Sequence, residues 1–434
     1  MAAHSEASSE QRQIYTLIDY EDTYVQPLLQ KAVQRLASST TTLVPISDIS
    51  ALPSPDFKCL VWAQYESLPF QHAASHSRTT LLNAYVFRKA LIRKHYLATV
   101  VRNWLVKHPS SILGKHVAPA VDFEVDYAEF LDDALVECYE LNEAIERNEA
   151  LERSERSWWI VKAGMGERGQ GIKLFSTLEE LQEVFEAWDP DSDDEGEGSD
   201  VEETPRPKDE DDGIVTSQMR HFVAQPYIHP PLLLKEPFES AGRKFHIRTY
   251  VLAVGALKVY VYRRMLALFA GATYESPSEA GDPNESLGGH LTNTCRQTGE
   301  REGSVHEFWS LEESAADLEP GWKERVFQQI SEATGEVFEA AARGMMMHFQ
   351  PLPNSFEVYG LDFIVDATGN TWLLEVNAFP DFAQTGKDLS VLIADLFDGV
   401  VSVAIRPFFD LSEEQGDPAG SDLLKVLDID LGKR

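Results

Sequence analysis

The first regularly spaced apolar positions are Ile14, Leu17 and Ile18, followed by Val25, Leu28, Leu29, Val33 and Leu36. Steps of three and four keep side chains on one side of a helix, so the spacing predicts a helix across residues 10–38. Lys58–Ala63 (KCLVWA) is a short apolar run of the kind that forms a buried strand, and a loop with Pro69 follows it. From Thr79 to Lys107, Leu81, Leu82, Tyr85, Val86, Ile92, Tyr96, Val100 and Trp104 again recur at three to four residues, which predicts an amphipathic helix with a break in it. This order of elements predicts a small α/β lobe over residues 1–155, headed by the N-terminal helix.

A second unit, residues 156–232, opens with a strand (WWIVKAG), a glycine-rich loop (MGERGQG) and a returning strand (IKLF). A helix over Leu178–Trp188 and a strand in RHFVAQPYI complete it. Between them lies an acidic insertion, residues 189–213. The third unit, 233–410, holds KFHIRTYVLAVGALKVYVYRRMLALFA, two β-rich runs about a turn near Val254–Gly255. It continues with a helix over about Gly321–His348 and a hairpin, EVYGLDFIVDATGNTWLLEVNAF, that turns at Ala367–Asn370. A last helix is expected at Asp388–Val403, with 411–434 as a tail. There is no internal repeat.

Composition narrows the class. Apolar residues make up 43% of the chain, as in ordinary globular proteins, and no run reaches the ~20 apolar residues that span a bilayer. Cys59, Cys138 and Cys295 are far apart, which argues against disulfides and zinc and fits a cytosolic protein. The formal charge is −33, and Asp189–Asp212 supplies about a third of it. Such a block reads as a solvated insertion or a docking tail. The acidic remainder excludes nucleic-acid binding by counterion release and offers nothing to a membrane surface. With no heptad or symmetric apolar face, a monomer is expected.

Candidate chemistry concentrates in four places. Glu375 and Asn377, two apart on a strand, share a face, and Asp362 on the partner strand can join it. Three oxygen donors at a strand end suit Mg²⁺, which completes its shell from waters and substrate phosphates. A polar hairpin edge would look similar, but Phe363, Leu373, Leu374 and Val376 mark these strands as buried, where unpaired carboxylates are costly. The loop with Gly164, Gly166, Gly169 and Gly171 can bring backbone N–H groups onto phosphates, and Lys162 precedes it. Its spacing matches neither the P-loop nor the dinucleotide motif. Gln225–Ile228 enters a proline-rich link that can offer hydrogen bonds to an adenine edge, or can be a plain connection. Lys244, His246 and Arg248 alternate on one strand face as a cationic strip able to meet phosphates.

In this order, WWIVKAGMGERGQGI, AQPYIHPPLLL, GRKFHIRTYVL, HLTN (290–293) and YGLDFIVDATGNTWLLEVN resemble the tubulin-tyrosine ligase family, and IRKHYLATVVRNW extends the likeness toward the N-terminus. The resemblance implies an ATP-grasp fold with ATP clamped between central and C-terminal lobes. It also implies the coupling of a free amino acid to a glutamate carboxylate of a protein acceptor, typically the tubulin C-terminal tail. By position, Lys162, Lys244 and the loop residues Gly169, Gln170 and Gly171 would contact the nucleotide. Gln225, Tyr227 and Ile228 would frame adenine, and Asn293 would assist near the phosphates. Asp362, Glu375 and Asn377 would hold Mg²⁺, and Arg248 would stabilise the acyl-phosphate. Lys94 would reach the γ-phosphate, with Lys89 an alternative alignment.

Two positions depart from the family's pattern. His246 stands where the family usually has aspartate. Leu268 stands where it has the arginine that grips the incoming amino acid's carboxylate, although Arg263 and Arg264 lie nearby. Some fungal proteins with a similar domain are linked to mRNA-decay bodies, so a nucleotide-binding scaffold with a partner-docking role is the alternative to a ligase, and P-bodies or microtubules are the expected locations. An ATP-grasp enzyme acting on a small metabolite fits less well, because HLTN and RKFxIR point to the tubulin-ligase branch.

Overall fold

The computed structural model describes residues 12–166, 169–189, 219–279, 281–285, 287–292, 304–385, 389–411 and 422–431. Three sheets organise them. The first takes its strands from β1 (Arg12–Asp19), β2 (Thr41–Pro45), β3 (Lys58–Ala63) and β4 (Thr80–Leu82), all parallel in the order β2-β1-β3-β4, with α1 (Val25–Gln34) after β1. Residues 12–19 are thus a strand, not the first half of a helix. Ile14 packs into one core cluster and Tyr15 into another, so both faces of the sheet are covered. Strands buried on both sides lose their period-two alternation, and three-residue coincidences then imitate a helix.

The same cause splits residues 79–107. Leu81 and Leu82 face opposite clusters within β4, and the helix that follows is two pieces, Lys89–Ile92 and α2 (Lys94–Lys107).

The second sheet is antiparallel, β5-β8-β6-β7, from β5 (Val121–Glu124), β6 (Trp159–Ala163), β7 (Ile172–Phe175) and β8 (His221–Pro226). It therefore begins before residue 156, drawing in β5 from the stretch expected in the first lobe. Helices α3 (Tyr139–Glu149) and α4 (Leu178–Trp188) pack on it around Phe185 and Phe222. α4 starts where expected because Thr177 and Glu180 form a reciprocal cap. The insertion expected at 189–213 lies outside the described residues apart from Asp189.

The third sheet is built on the long, buried β9 (Arg243–Val254). Along one edge runs β13 (Phe356–Val365), and the other edge is shared by β11 (Leu266–Thr273) and β10 (Lys258–Tyr262). β12 (Val305–Glu307) extends β11, and β14 (Thr371–Ala378) pairs with β13. α5 (Trp322–Gly344) packs on one face and α6 (Ser390–Val400) on the other. β15 (Leu423–Asp428) pairs antiparallel with β10, so part of the expected tail is a sheet strand. Cys59 and Cys138 are buried free thiols, and no described helix is long and apolar enough to cross a membrane.

Candidate active site

Register across the third sheet sets the site. Arg248 on β9 pairs with Asp362 on β13, which pairs in turn with Glu375 on β14. Two residues along the same pair of strands, Gly360 faces Asn377. The β13–β14 ladder slips just past Asp362: Asp362 opposes Glu375, but Phe363 opposes Leu373, leaving Leu374 as an extra residue. A bulge of this kind turns two successive side chains to one side. Leu373 and Val376 therefore enter the core while Leu374 and Glu375 both face a cleft.

Asp362 accepts a two-pronged hydrogen bond from Arg248, Nε to Oδ1 at 2.5 Å and Nη2 to Oδ2 at 3.0 Å. Asn377 stands between the carboxylates, its amide 3.3 Å from Asp362 and 3.1 Å from Glu375. Lys94, at the start of α2, lies 3.5 Å from Glu375 and donates to the Gly166 carbonyl at 2.8 Å. It thereby ties the first lobe to the glycine-rich loop. Burial alone would raise the Glu375 carboxyl, yet Lys94, Lys162 and the Asn377 amide bring it down to about 2.

Two lysines have the opposite problem. Lys162 and Lys244 are buried, which pushes their ammonium groups down to about 8 and about 7; Glu375 and Asp362 partly offset this for Lys162, and the nearby Lys162 adds to it for Lys244. Lys244 donates to the Tyr227 hydroxyl at 2.9 Å and lies 4.2 Å from its ring centre, and that hydroxyl is 3.0 Å from His290 Nδ1. His246 Nδ1 is 2.6 Å from Thr292 Oγ1, and its Nε2 is 3.6 Å from Asp362. Burial pushes this imidazole down, so it is neutral near pH 7.

These groups converge. Lys94, Lys162, Gly169, Gln170, Gln225, Tyr227, Ile228, Lys244, Asp362 and Glu375 all line one cleft of about 760 Å³. Arg248 and Asn377 line a second, polar cavity of about 1440 Å³, which shares Lys94, Gly166 and Glu375 with the first. Gly171 borders the loop, where it and Gly169 hold φ of +63° and +79°, values only glycine adopts without strain. Asn293 lies outside the described residues; its neighbours Leu291 and Thr292 line the cleft. Sequence reading passed over the cleft's apolar walls, Ile160, Ile172, Ile364 and Leu374. Ile160 was within reach, two residues before Lys162 on the same strand face. Leu374 was not, since its orientation depends on the bulge.

Two carboxylates and an amide at one junction supply oxygen ligands of the kind Mg²⁺ takes. Among the described residues no three His, Cys, Asp or Glu gather closely enough to hold a metal by themselves. The donor set fits that ion. Neither arginine near Leu268 reaches the cleft. Arg263 pairs with Glu324 and stacks 4.3 Å from the Trp309 ring centre, and Arg264 pairs with Glu307 and Asp395. Leu268 itself is buried in the core.

Comparison with known proteins agrees with this architecture. Residues 75–413 match the tubulin-tyrosine ligase family. A probable tubulin–tyrosine ligase of Schizosaccharomyces pombe is 42% identical over 97% of this chain and 99% of its own length. The probable tubulin–tyrosine ligase PBY1 of Saccharomyces cerevisiae is 41% identical over 86% of this chain and 49% of its own, longer sequence. The solved C-terminal domain of K. lactis Pby1, described as an ATP-grasp enzyme interacting with the mRNA decapping enzyme Dcp2, matches with a TM-score of 0.69 at 37% identity, covering 96% of this chain and 99% of that one. The mixed α/β fold is that of an ATP-grasp domain, and the chain belongs to the tubulin-tyrosine ligase family, alongside its fungal members.

Proposed function

We propose that this protein is an ATP- and Mg²⁺-dependent protein–amino acid ligase. The observation that carries the reading is the seam between two hollows. A cleft and a larger polar cavity meet where Asp362, Glu375, Asn377, Lys94 and Arg248 stand together. Phosphoryl transfer from a nucleotide to an acceptor needs that plan: one compartment for each, with charge-stabilising groups between them.

In this reading Gln225, Tyr227 and Ile228 frame the base, and Lys162, Lys244 and the loop N–H groups hold the phosphates. Asp362, Glu375 and Asn377 hold Mg²⁺, which when bound neutralises charge on the transferred phosphoryl. An acceptor glutamate carboxylate oxygen attacks the γ-phosphorus, and ADP leaves. Lys94 and Arg248 steady the charge on the acyl-phosphate. The amine of a free amino acid then attacks the acyl carbon, phosphate departs, and the nitrogen gives up its proton. A tubulin C-terminal tail is the acceptor class that the family suggests.

A second reading, a nucleotide-binding scaffold for a protein partner, has its own support. The buried Leu268 supplies no carboxylate-gripping cation, and the K. lactis relative is known by its decapping partner. ADP release, measured with Mg·ATP, each amino acid and a glutamate-rich acceptor peptide, separates the two. Release that depends on both amino acid and acceptor supports the ligase. Nucleotide-induced thermal stabilisation without any release leaves the scaffold.

A further inference from the structure

The polar cavity beyond the metal junction holds charge that phosphoryl transfer leaves unused. Among the described residues, four cations line it, Arg88, Arg93, Lys94 and Arg248, together with three carboxylates, Glu66, Glu375 and Asp381. Three of the cations are taken. Arg88 meets Glu357 at 3.0 Å and lies 3.7 Å from the Tyr65 ring centre. Lys94 meets Glu375 at 3.5 Å, and Arg248 grips Asp362. The half-buried Arg93 side chain, by contrast, makes no hydrogen bond or ion pair among the described residues. Glu66 and Asp381 likewise have no ion pair among them, although one Asp381 oxygen accepts from the Ala383 N–H at 3.0 Å.

The position of Arg93 favours an anion. It stands at the N-cap of α2 with extended backbone (φ −101°, ψ 121°), and no side chain caps that end of the helix. The uncovered N–H groups there add positive potential to the guanidinium, whose planar fork matches a carboxylate. Lys94, the next residue, lines both the cavity and the nucleotide cleft. Leu268 is buried in the core, and Arg263 and Arg264 are paired with carboxylates elsewhere. The cavity thus offers one unpaired cation and two unpaired carboxylates. A free amino acid carries the complementary pair, a carboxylate and an ammonium group, whereas an acceptor glutamate side chain carries only the first.

We propose that this cavity seats the free amino acid, its α-carboxylate on Arg93 and its amine toward Asp381 and Glu66. This assignment rests on the ligase reading and gives its second substrate a place. The test uses the full chain loaded with Mg·AMP-PNP, whose terminal phosphoryl is not transferred, titrated in a calorimeter with each of the twenty standard amino acids. At least one should bind, about tenfold or more tightly than its own α-amide or its N-acetyl form. Arg93→Ala should abolish the preference over the amide, and Arg93→Lys should restore part of it. Asp381→Asn should narrow the preference over the N-acetyl form. All three variants should keep the nucleotide-induced thermal shift. Failure of all twenty to bind, equal binding of acid and amide, or a preference unmoved by Arg93→Ala overturns the assignment. So does an Arg93→Ala loss confined to a hexaglutamate peptide with blocked ends, which would give Arg93 to the acceptor. ADP release from Mg·ATP keeps the two readings apart. Release that needs an amino acid, with a KM for it indifferent to Arg93→Ala, sinks the subsite and spares the ligase. Amino-acid binding that depends on Arg93, without any release, retires the ligase and leaves the subsite standing.

Discussion

Lys244 and Lys162 sit in the cleft with ammonium groups that burial has pushed to about 7 and about 8. A polyanion favours the charged form, so nucleotide binding should draw both values up and take protons from solvent. Affinity should then be greatest near and below about pH 7 and weaken as pH rises through the two free-state values. Calorimetry at about pH 8 in buffers of different ionisation enthalpy should show net proton uptake; an affinity flat up to about pH 9 would mean that these lysines do not meet phosphate. Glu375 permits a cleaner substitution than Asp362, whose loss would strand the buried Arg248 at a cost of roughly 3–5 kcal/mol. Glu375→Gln keeps shape and removes one ligand charge. It should weaken Mg·ATP binding on the order of tenfold or more while the fold persists. Unaltered Mg·ATP affinity would place the metal elsewhere.

At the level of elements, Gly360 on β13 is a tight joint beside the site. A Cβ there would lie 2.8 Å from Pro380 Cβ and 3.2 Å from Arg248 Cδ, so Gly360→Ala must shift Pro380 and presses on the arginine that grips Asp362. We expect a stability loss of roughly 1–3 kcal/mol in denaturant titration, together with loss of any ADP release. Wild-type stability in that variant would show that the strand has slack. How far the sequence could be read follows the same geometry. Where charged or polar side chains recur at every second position, as from Lys244 to Arg248 and at Glu375 and Asn377, side-chain order gave both the element and its cleft-facing residues. Where both faces are buried, as in β1 and β4, nothing alternates, and the apolar positions passed for a helix. The four-residue β5 gains its place by pairing with β8, nearly a hundred residues away in the chain, a partner that no local pattern reveals. The extra residue at Leu374 is equally silent, because a bulge is a relation between two strands.

For the whole molecule, the long acidic insertion is expected to be separable from the fold. The residues on either side of it converge, with the Trp188 and Phe222 rings stacked 5.8 Å apart in the central core. Removing Asp191–Asp211 should therefore leave the melting temperature within about 2 °C of the full chain, because loop length costs little once the ends are fixed. A larger fall would mean that the segment packs on the body. The third sheet closes differently. β15, at residues 423–428, covers the edge of β10, at 258–262, and Val426 lies so close to α5 that only glycine fits at position 335. In the order of synthesis, β10 leaves the ribosome some 160 residues ahead of the strand that covers it. Throughout that interval the nascent chain carries a bare strand edge, the kind of surface that chaperones shield and that stalled translation would leave open to aggregation.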